Sequence, residues 1–130
     1  MAEGKSVHSI TGRQTTFAAA EETILLSLDG ALAAATISVP LGTNVAISDL
    51  ILGGDLPSLW RLQQTNDGIS FFDIALFEVS AALGVATPLY TYNVGLIIAG
   101  GATVAFRLRV QTPFGGGIPV VATLRSYSEP

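Results

Sequence analysis

The segment ATVAFRLRVQT, residues 102–112, alternates apolar and polar side chains over most of its length. In an extended chain, Phe106, Leu108 and Val110 would point to one side, and Arg107 and Arg109 to the other. A helix has a period of 3.6 residues and would scatter the same apolar side chains around its axis. The pattern therefore predicts a β-strand with one buried face. The segment IPVVATLRSY, residues 118–127, predicts a second strand of the same kind.

Strand patterns recur through the rest of the chain, separated by turn signals. In chain order they are TILLSL, ATISVP, NVAISDLIL, LWRLQQ, SFFDIALFEV and PLYTYNV. The turn signal Asn66-Asp67-Gly68 predicts a hairpin between LWRLQQ and SFFDIALFEV. Strands do not alternate with helices, so the pattern predicts an all-β antiparallel β-sandwich of about eight strands. An Ala-rich stretch leaves a short helix near residues 17–25 as an alternative.

The segment SFFDIALFEV is apolar on both faces of the predicted strand. Alternation places Phe71 and Phe77 on one face and Phe72 on the other. A strand that is apolar on both faces is covered on both sides, either within the subunit or by another copy. We therefore expect Phe71, Phe72 and Phe77 to lie at a subunit interface. In NVAISDLIL, strict alternation places Ile47 and Ile51 on a common face.

Two glycine-containing segments resemble each other. VPLGTNVAI begins at Val39 and IIAGGATVAF begins at Ile97, and in each a glycine precedes an alternating apolar run. Pro40 cannot donate to a strand ladder and Gly42 can adopt a positive φ, which predicts a turn. Gly100 and Gly101 predict a turn in the second segment. We interpret both segments as β-turns between antiparallel strands.

The composition favours an oligomer. Charged residues make up 12% of the chain and hydrophobic residues 49%. Because soluble monomers rarely expose large apolar patches, we expect a homo-oligomer whose subunit contacts complete the burial. A monomer rich in small Ala and Gly residues is the alternative. No membrane segment is expected, because the apolar run around residues 96–106 is shorter than the roughly 20 residues of a membrane-spanning helix.

The charge distribution bears on possible partners. The net charge of −4 disfavours nucleic-acid binding, which depends on cationic side chains. Residues 1–16 are polar and predict a flexible N-terminal arm, or a strand that orders only against a partner, followed by one domain over residues 17–130. Lys5 and Arg13 in this arm are candidates for contact with a partner. Arg107, Arg109 and Arg125 are further candidates, as a basic stripe on two late strands that meets acidic groups on a neighbour. A solvated face with local acidic partners is the alternative.

The sequence offers little for catalysis or for cofactor binding. It has no cysteine and a single histidine, His8, which we expect to be solvated in the N-terminal arm. Metal sites need converging His, Cys or carboxylate ligands, and the acidic residues here are scattered. We expect a protein that is not an enzyme and holds no cofactor or metal. Trp60 and the tyrosines could form a sugar-binding platform, although core packing is the simpler interpretation.

The turn and strand motifs resemble those of small bacteriophage structural proteins with a jelly-roll fold. The matching elements are VPLGT at 39–43, GLIIAGGATVAFRLRV at 95–110 and VVATLRSYSEP at the C-terminus. The chain looks most like the trimeric capsid decoration, or cement, proteins. This resemblance implies a jelly roll, a homotrimer, the major capsid protein as partner and a location on the capsid surface. The alternative function is a lectin-like head or tail-fibre module that binds host glycans.

Overall fold

In a computed structural model, the protein is described over residues 6–14, 21–54, 58–79, 89–111 and 120–129. These residues form ten β-strands and no helix, which confirms the predicted all-β class. The strands are β1 (Ser6–Gln14), β2 (Glu21–Thr23), β3 (Leu26–Leu28), β4 (Ile37–Ser38), β5 (Asn44–Gly54), β6 (Ser58–Thr65), β7 (Phe71–Val79), β8 (Leu89–Ala99), β9 (Ala105–Gln111) and β10 (Val120–Glu129).

The strands form two antiparallel sheets. Sheet A has the order β3-β1-β10-β5-β8, and sheet B has the order β2-β9-β6-β7 with β4 also paired to β9. The pairs are nested along the chain: β1 with β10, β2 with β9, β5 with β8, and β6 with β7. Nested pairing arises when one long antiparallel ribbon folds over into two sheets, which is the jelly-roll arrangement. The predicted antiparallel sandwich is confirmed.

The hydrophobic core lies between the two sheets and is built from alternate residues of the long strands. The predicted alternation in β9 is confirmed, because its inner residues are buried while its arginines point outward. β6 follows the same rule at Trp60 and Leu62, which are both buried. The largest fully buried side chains are Trp60, Phe106, Ile10, Ile24, Leu26, Ile47, Leu50, Leu52, Leu62, Ile98 and Leu108.

The segment TILLSL divides between the two sheets instead of forming one strand. Glu21–Thr23 pairs with β9 in sheet B, and Leu26–Leu28 pairs with β1 in sheet A. Ile24 between them is buried and donates its backbone N–H to the Leu108 carbonyl at 2.9 Å. This crossing raises the number of strands above the expected eight. It also means that the helix alternative is wrong at Glu21–Thr23, which form β2.

The structure differs from the expected arm over residues 1–16, because Ser6–Gln14 forms β1 inside sheet A. All nine residues of β1 pair with β10. The sequence signal was weak because Gly12 occupies an inner position of the strand. A Cβ at Gly12 would lie 2.5 Å from Cγ2 of Ile24, so neighbouring side chains already fill that space. Lys5 lies outside the described residues.

A β-bulge changes the face that β5 turns toward the core. Ile47 is buried before the bulge and Leu50 after it, whereas Ile51 is only half-buried. The registers with β10 and β8 both shift around Ser48. On β8, Gly95 lies at the shift with a φ of 64°, a conformation that glycine adopts readily. The bulge therefore removes Ile51 from the core face on which strict alternation places it.

A second bulge changes the faces of β7. The register with β6 shifts from Ala75 to Asp73 and passes over Ile74. As a result, Phe77 packs against the core while Phe71 lies on the outer face, over the Arg107 side chain. The sequence alternation places these two phenylalanines on one face, and the extra residue in β7 separates them.

Both glycine-containing turns are present, and each joins strands of different sheets. The first connects β4 of sheet B to β5 of sheet A, with Gly42 at a φ of 84° and the Thr43 amide donating to the Pro40 carbonyl at 3.1 Å. The second connects β8 of sheet A to β9 of sheet B, with Val104 donating to Gly101 at 3.3 Å. These turns therefore form corners of the sandwich and do not close hairpins.

Candidate functional site

The outer face of sheet B holds a connected group of charged and aromatic side chains, which we call the arginine face. Its members lie on all four strands of the main order of the sheet. On β6 and β9, the members of this group alternate with buried core residues. The alternation that builds the core therefore also places these members on the outer face. The arginine face comprises Glu21, Thr23, Arg61, Gln63, Phe71, Asp73, Arg107 and Arg109.

One end of the arginine face is centred on Glu21 of β2. Nε of Arg109 donates to Oε1 of Glu21 at 2.9 Å, and Nη1 of Arg109 donates to the Thr23 hydroxyl at 3.2 Å. Nε of Arg61 lies 3.8 Å from the same Glu21 oxygen. One carboxylate therefore holds two guanidinium groups together, although cations in this position would otherwise repel each other.

The middle of the face is a chain of hydrogen bonds through Asp73. Nη1 of Arg61 donates to Oδ2 of Asp73 at 2.8 Å, and Nε2 of Gln63 donates to Oδ1 at 2.8 Å. These contacts, first the Gln63 amide and then Arg61, lower the pKa of Asp73 because they favour the charged carboxylate. The Gln63 side chain continues the chain, because its Oε1 accepts a bond from Nε of Arg107 at 2.8 Å.

The chain of contacts ends on an aromatic ring. The guanidinium carbon of Arg107 lies 3.7 Å from the ring centroid of Phe71, which is the geometry of a cation–π contact. Partial burial, followed by the nearby charge of Arg109, lowers the pKa of Arg107 from its ordinary value. The Arg107 side chain is therefore held between Gln63 and Phe71, with its planar group lying against an apolar surface.

The arginine face differs in charge from the molecule as a whole. It contains three arginines and two carboxylates, whereas the chain has a net charge of −4. Arginine and aromatic side chains together are typical of protein–protein contacts, from which lysine is depleted. Arg61, Arg107 and Arg109 are fixed by neighbours before any partner arrives, which reduces the conformational entropy lost on binding.

The structure brings together some of the predicted contact residues and separates others. Arg107, Arg109 and Phe71 share the arginine face. Arg125 is on β10 of sheet A, whereas Arg107 and Arg109 are on β9 of sheet B. The two late strands are therefore not neighbours in one sheet, and a role for Arg125 in partner contact stays a prediction. Arg13 also lies in sheet A, where it pairs with Val121 of β10.

Phe72 and Phe77 lie away from the arginine face. Phe77 packs against the core, with its ring centroid 5.0 Å from that of Tyr92. Phe72 is on the edge strand β7 and remains 45% exposed. The observed contacts of Phe77 are made within the chain, and a role in a subunit interface stays a prediction for Phe71, Phe72 and Phe77.

Sequence reasoning missed five of the eight residues of the arginine face. The five residues not predicted as contact residues lie in segments with no distinctive motif: Glu21, Thr23, Arg61, Gln63 and Asp73. Only the strand register reveals that Gln63 is opposite both Asp73 and Arg107. The signal that could have found them is the excess of opposite charges on the polar side of adjacent predicted strands.

The single histidine lies at a groove and is not part of a solvated arm. Nδ1 of His8 is 2.6 Å from Oδ2 of Asp29, and Oδ1 of Asp29 accepts the Ser9 amide at 2.8 Å. The Ser9 amide and then His8 lower the pKa of Asp29. The groove has a volume of about 300 Å³ and is lined mainly by apolar side chains, including Leu28 and Phe106.

Two members of the candidate sugar platform, Trp60 and Tyr92, make contacts within the chain. Trp60 is 0% exposed, in the middle of the core. Tyr92 packs on Phe77, and its hydroxyl donates to the Glu78 carbonyl. A glycan platform needs aromatic faces open to solvent, so Trp60 cannot serve the lectin-like alternative in this structure.

Within the five described ranges, no three His, Asp or Glu side chains converge as a metal site requires. The same ranges contain no helix long and apolar enough to cross a membrane.

Comparison with known proteins adds no assignment. No family model matches the sequence, and no curated protein matches it.

Proposed function

We propose that this protein is a non-enzymatic structural protein of a virion, a capsid decoration or cement subunit that binds the assembled shell and stabilises it. The observation that carries the proposal is the arginine face on the outer side of a jelly-roll sandwich. The jelly-roll order agrees with the fold that the sequence resemblance implies. The arginine face supplies a surface of the composition that protein partners use.

The proposed partner is the major capsid protein, contacted through the arginine face. Arg107 and Phe71 form its apolar and cationic end, and Arg61 and Arg109 lie around Glu21 at its other end. Bidentate contacts from arginine suit carboxylates on a partner, because the guanidinium group is planar and carries a fixed set of donors. The protein would be made in the host cytoplasm and would act on the capsid surface as a homo-oligomer.

Stabilisation of the shell follows from mass action. A subunit that binds the assembled shell, and binds separated shell proteins less well, shifts the equilibrium toward the shell. No chemical step is needed, and the arginine face requires no cofactor. Several copies per shell would multiply the effect, since each contact spans a junction between shell subunits.

The direct test compares particles with and without the protein during heating. Particles that carry it should release their contents at a higher temperature than stripped particles. Adding purified protein back to stripped particles should restore the higher temperature. Equal heat resistance of the two kinds of particle would reject the cement role.

A second experiment tests the arginine face itself. Arg107→Gln removes the cation over Phe71 and lowers the net charge by one. Thr11→Glu makes the same charge change at an exposed position on the outer side of sheet A. Binding to stripped particles, measured by co-sedimentation, should weaken for Arg107→Gln and remain for Thr11→Glu. Equal binding by both variants would show that another surface contacts the shell.

A further inference from the structure

The two lateral sides of the sandwich end in different kinds of strand. On one side, sheet A ends at the three-residue β3, and sheet B ends at β2 and β4, of three and two residues. Leu26 of β3 and Ala34 of the following loop exchange two backbone hydrogen bonds, of 2.7 and 2.9 Å. Short edge strands and covering loops are common protections against pairing with other chains. This side is therefore closed.

The opposite side ends in two long strands, one from each sheet. β8 has eleven residues and is the last strand of sheet A, and β7 has nine and is the last strand of sheet B. Within the described part of the chain, no strand pairs with the outer edge of either. The contacts of Tyr92 with Phe77 and with the Glu78 carbonyl hold the two edges beside each other.

This open side also exposes apolar side chains across the thickness of the sandwich. Ile97, on the outer face of sheet A, is 71% exposed, and Leu76, on the outer face of sheet B, is 56% exposed. Phe72 of β7 is partly exposed as well. β8 contains no charged residue in its eleven positions. Edge strands that must stay unpaired are usually protected by charges, and β8 lacks this protection.

We propose that this open side is a contact between two copies of the chain, in which β8 pairs with β8 and β7 with β7. A single added strand could pair with only one of the two edges. A partner for both must present two strands at the spacing of stacked sheets, about 10 Å. A second copy presents the same two edges at the same spacing. A two-fold axis perpendicular to the sheets brings each edge onto its counterpart.

The alternation of side chains restricts the register of this pairing. A two-fold axis perpendicular to the sheets keeps each outer face outward, so residues that oppose each other must share a face. Centring the axis on Ile97 places Ile97 opposite Ile97 of the second copy, and Leu96 opposite its Ile98. The bulge at Gly95 breaks the regular edge, and Gly95 would lie opposite Ala99 in this register, so the regular pairing covers Leu96–Ile98.

The proposed contact makes a prediction about the number of copies. A two-fold contact alone gives a dimer, and it gives a hexamer if a separate three-fold contact also exists. The inference rests on the homo-oligomer in the proposed function but not on shell binding. The arginine face is a different surface, so Arg107→Gln should leave the number of copies unchanged even where shell binding is lost.

The first test measures the number of copies by light scattering. The wild-type protein should be a dimer or a hexamer, and Ile97→Lys should give a monomer or a trimer, since a charge at the edge opposes pairing. Leu32→Lys places the same charge at a side chain that is 95% exposed on the closed side, and it should match the wild type. A wild-type monomer or trimer, or an unchanged Ile97→Lys, would overturn the proposal.

The second test covers the case in which Ile97→Lys fails to fold, as circular dichroism would show. The chain has no cysteine, so Ile97→Cys introduces a single thiol. Opposed positions in paired strands are within the Cα separation that a disulfide allows, about 4.4–6.8 Å. Under mild oxidation, Ile97→Cys should form a covalent dimer much faster than Leu32→Cys. Equal rates for the two variants would overturn the proposed register.

Discussion

The backbone amide of Gly100 donates a hydrogen bond of 2.7 Å to the carbonyl of Thr43. The two turns that resemble each other in sequence therefore contact each other in the structure. Gly101 adds a bond from its amide to the Val39 carbonyl at 3.0 Å. Together these bonds join the corner between β4 and β5 to the corner between β8 and β9. The glycines have a packing role as well as a role in turn formation.

Gly100→Ala should destabilise the protein strongly. A Cβ at Gly100 would lie 1.8 Å from the Pro40 carbonyl oxygen and 2.3 Å from that of Thr43, so two backbone segments would have to separate. We expect a loss of about 3 kcal/mol or more in the free energy of unfolding, measured by urea denaturation. Gly42→Ala is the matched control, because Gly42 has a positive φ but nothing within 4 Å, and it should cost about 1–2 kcal/mol. A smaller loss at Gly100 than at Gly42 would contradict the close packing of the corners.

Trp60 should be inaccessible to quenchers in the folded protein. It is the single tryptophan and is 0% exposed, so iodide should quench its fluorescence little until the chain is unfolded. Trp60→Phe should retain the fold at reduced stability, whereas Trp60→Ala should lose about 3–5 kcal/mol, because it leaves a cavity in the core. Strong quenching of the native protein by iodide would contradict the buried position and would reopen the glycan alternative.

The protein should lose stability in acid because of three aspartates. Asp29, Asp67 and Asp73 have pKa values below the ordinary 3.8, and for Asp67 the causes are bonds from the amides of Ser70 and Ile69. A carboxylate whose pKa is lower in the folded state stabilises the fold above its ordinary pKa. That contribution is lost as the pH falls through the folded pKa.

Urea denaturation between about pH 6 and about pH 2 should therefore show a falling midpoint below about pH 4. Asp67→Asn keeps an acceptor at the turn but cannot titrate, so its stability should depend less on pH in this range. Identical pH profiles for the wild type and for Asp67→Asn would show that the turn bonds do not couple to protonation.

The alternation of apolar residues predicted the strands well, and it predicted their faces only where the ladder is regular. In β9 no bulge intervenes, and Phe106 and Leu108 are buried as the alternation requires. In β5 the bulge around Ser48 reverses the pattern, so the face of Ile51 could not be read from spacing. An extra residue in one strand has no signal of its own in the sequence, because it depends on how neighbouring strands pair.

This reversal can be tested in stability measurements. Leu50→Ala should cost about 2–5 kcal/mol because Leu50 is 0% exposed, and Ile51→Ala should cost clearly less because Ile51 is half-buried on the outer face. Strict alternation from Ile47 predicts the opposite order of the two losses. Chemical denaturation of both variants distinguishes these alternatives.

The candidate site was less predictable than the fold. Arg107 and Arg109 were identified because they occupy polar positions of an alternating strand, which is a local signal. Gln63, the partner of Arg107, lies 44 residues away in the chain, and Glu21, the partner of Arg109, lies 88 residues away. Contacts at such separations depend on the sheet order, and many orders are compatible with the same set of strands.

The contact between Arg107 and Phe71 should show measurable coupling in a double-mutant cycle. The guanidinium carbon lies 3.7 Å from the ring centroid, and a partly buried cation–π contact of this kind contributes about 0.5–1 kcal/mol. Arg107→Gln, Phe71→Leu and the double variant should therefore give losses in unfolding free energy that are not additive. Phe71→Leu combined with Thr11→Ala, on the other sheet, serves as the additive control. Additive losses for Arg107 and Phe71 would mean that the ring does not hold the guanidinium in place, and the arginine face would then lack the fixed geometry on which the proposed binding depends.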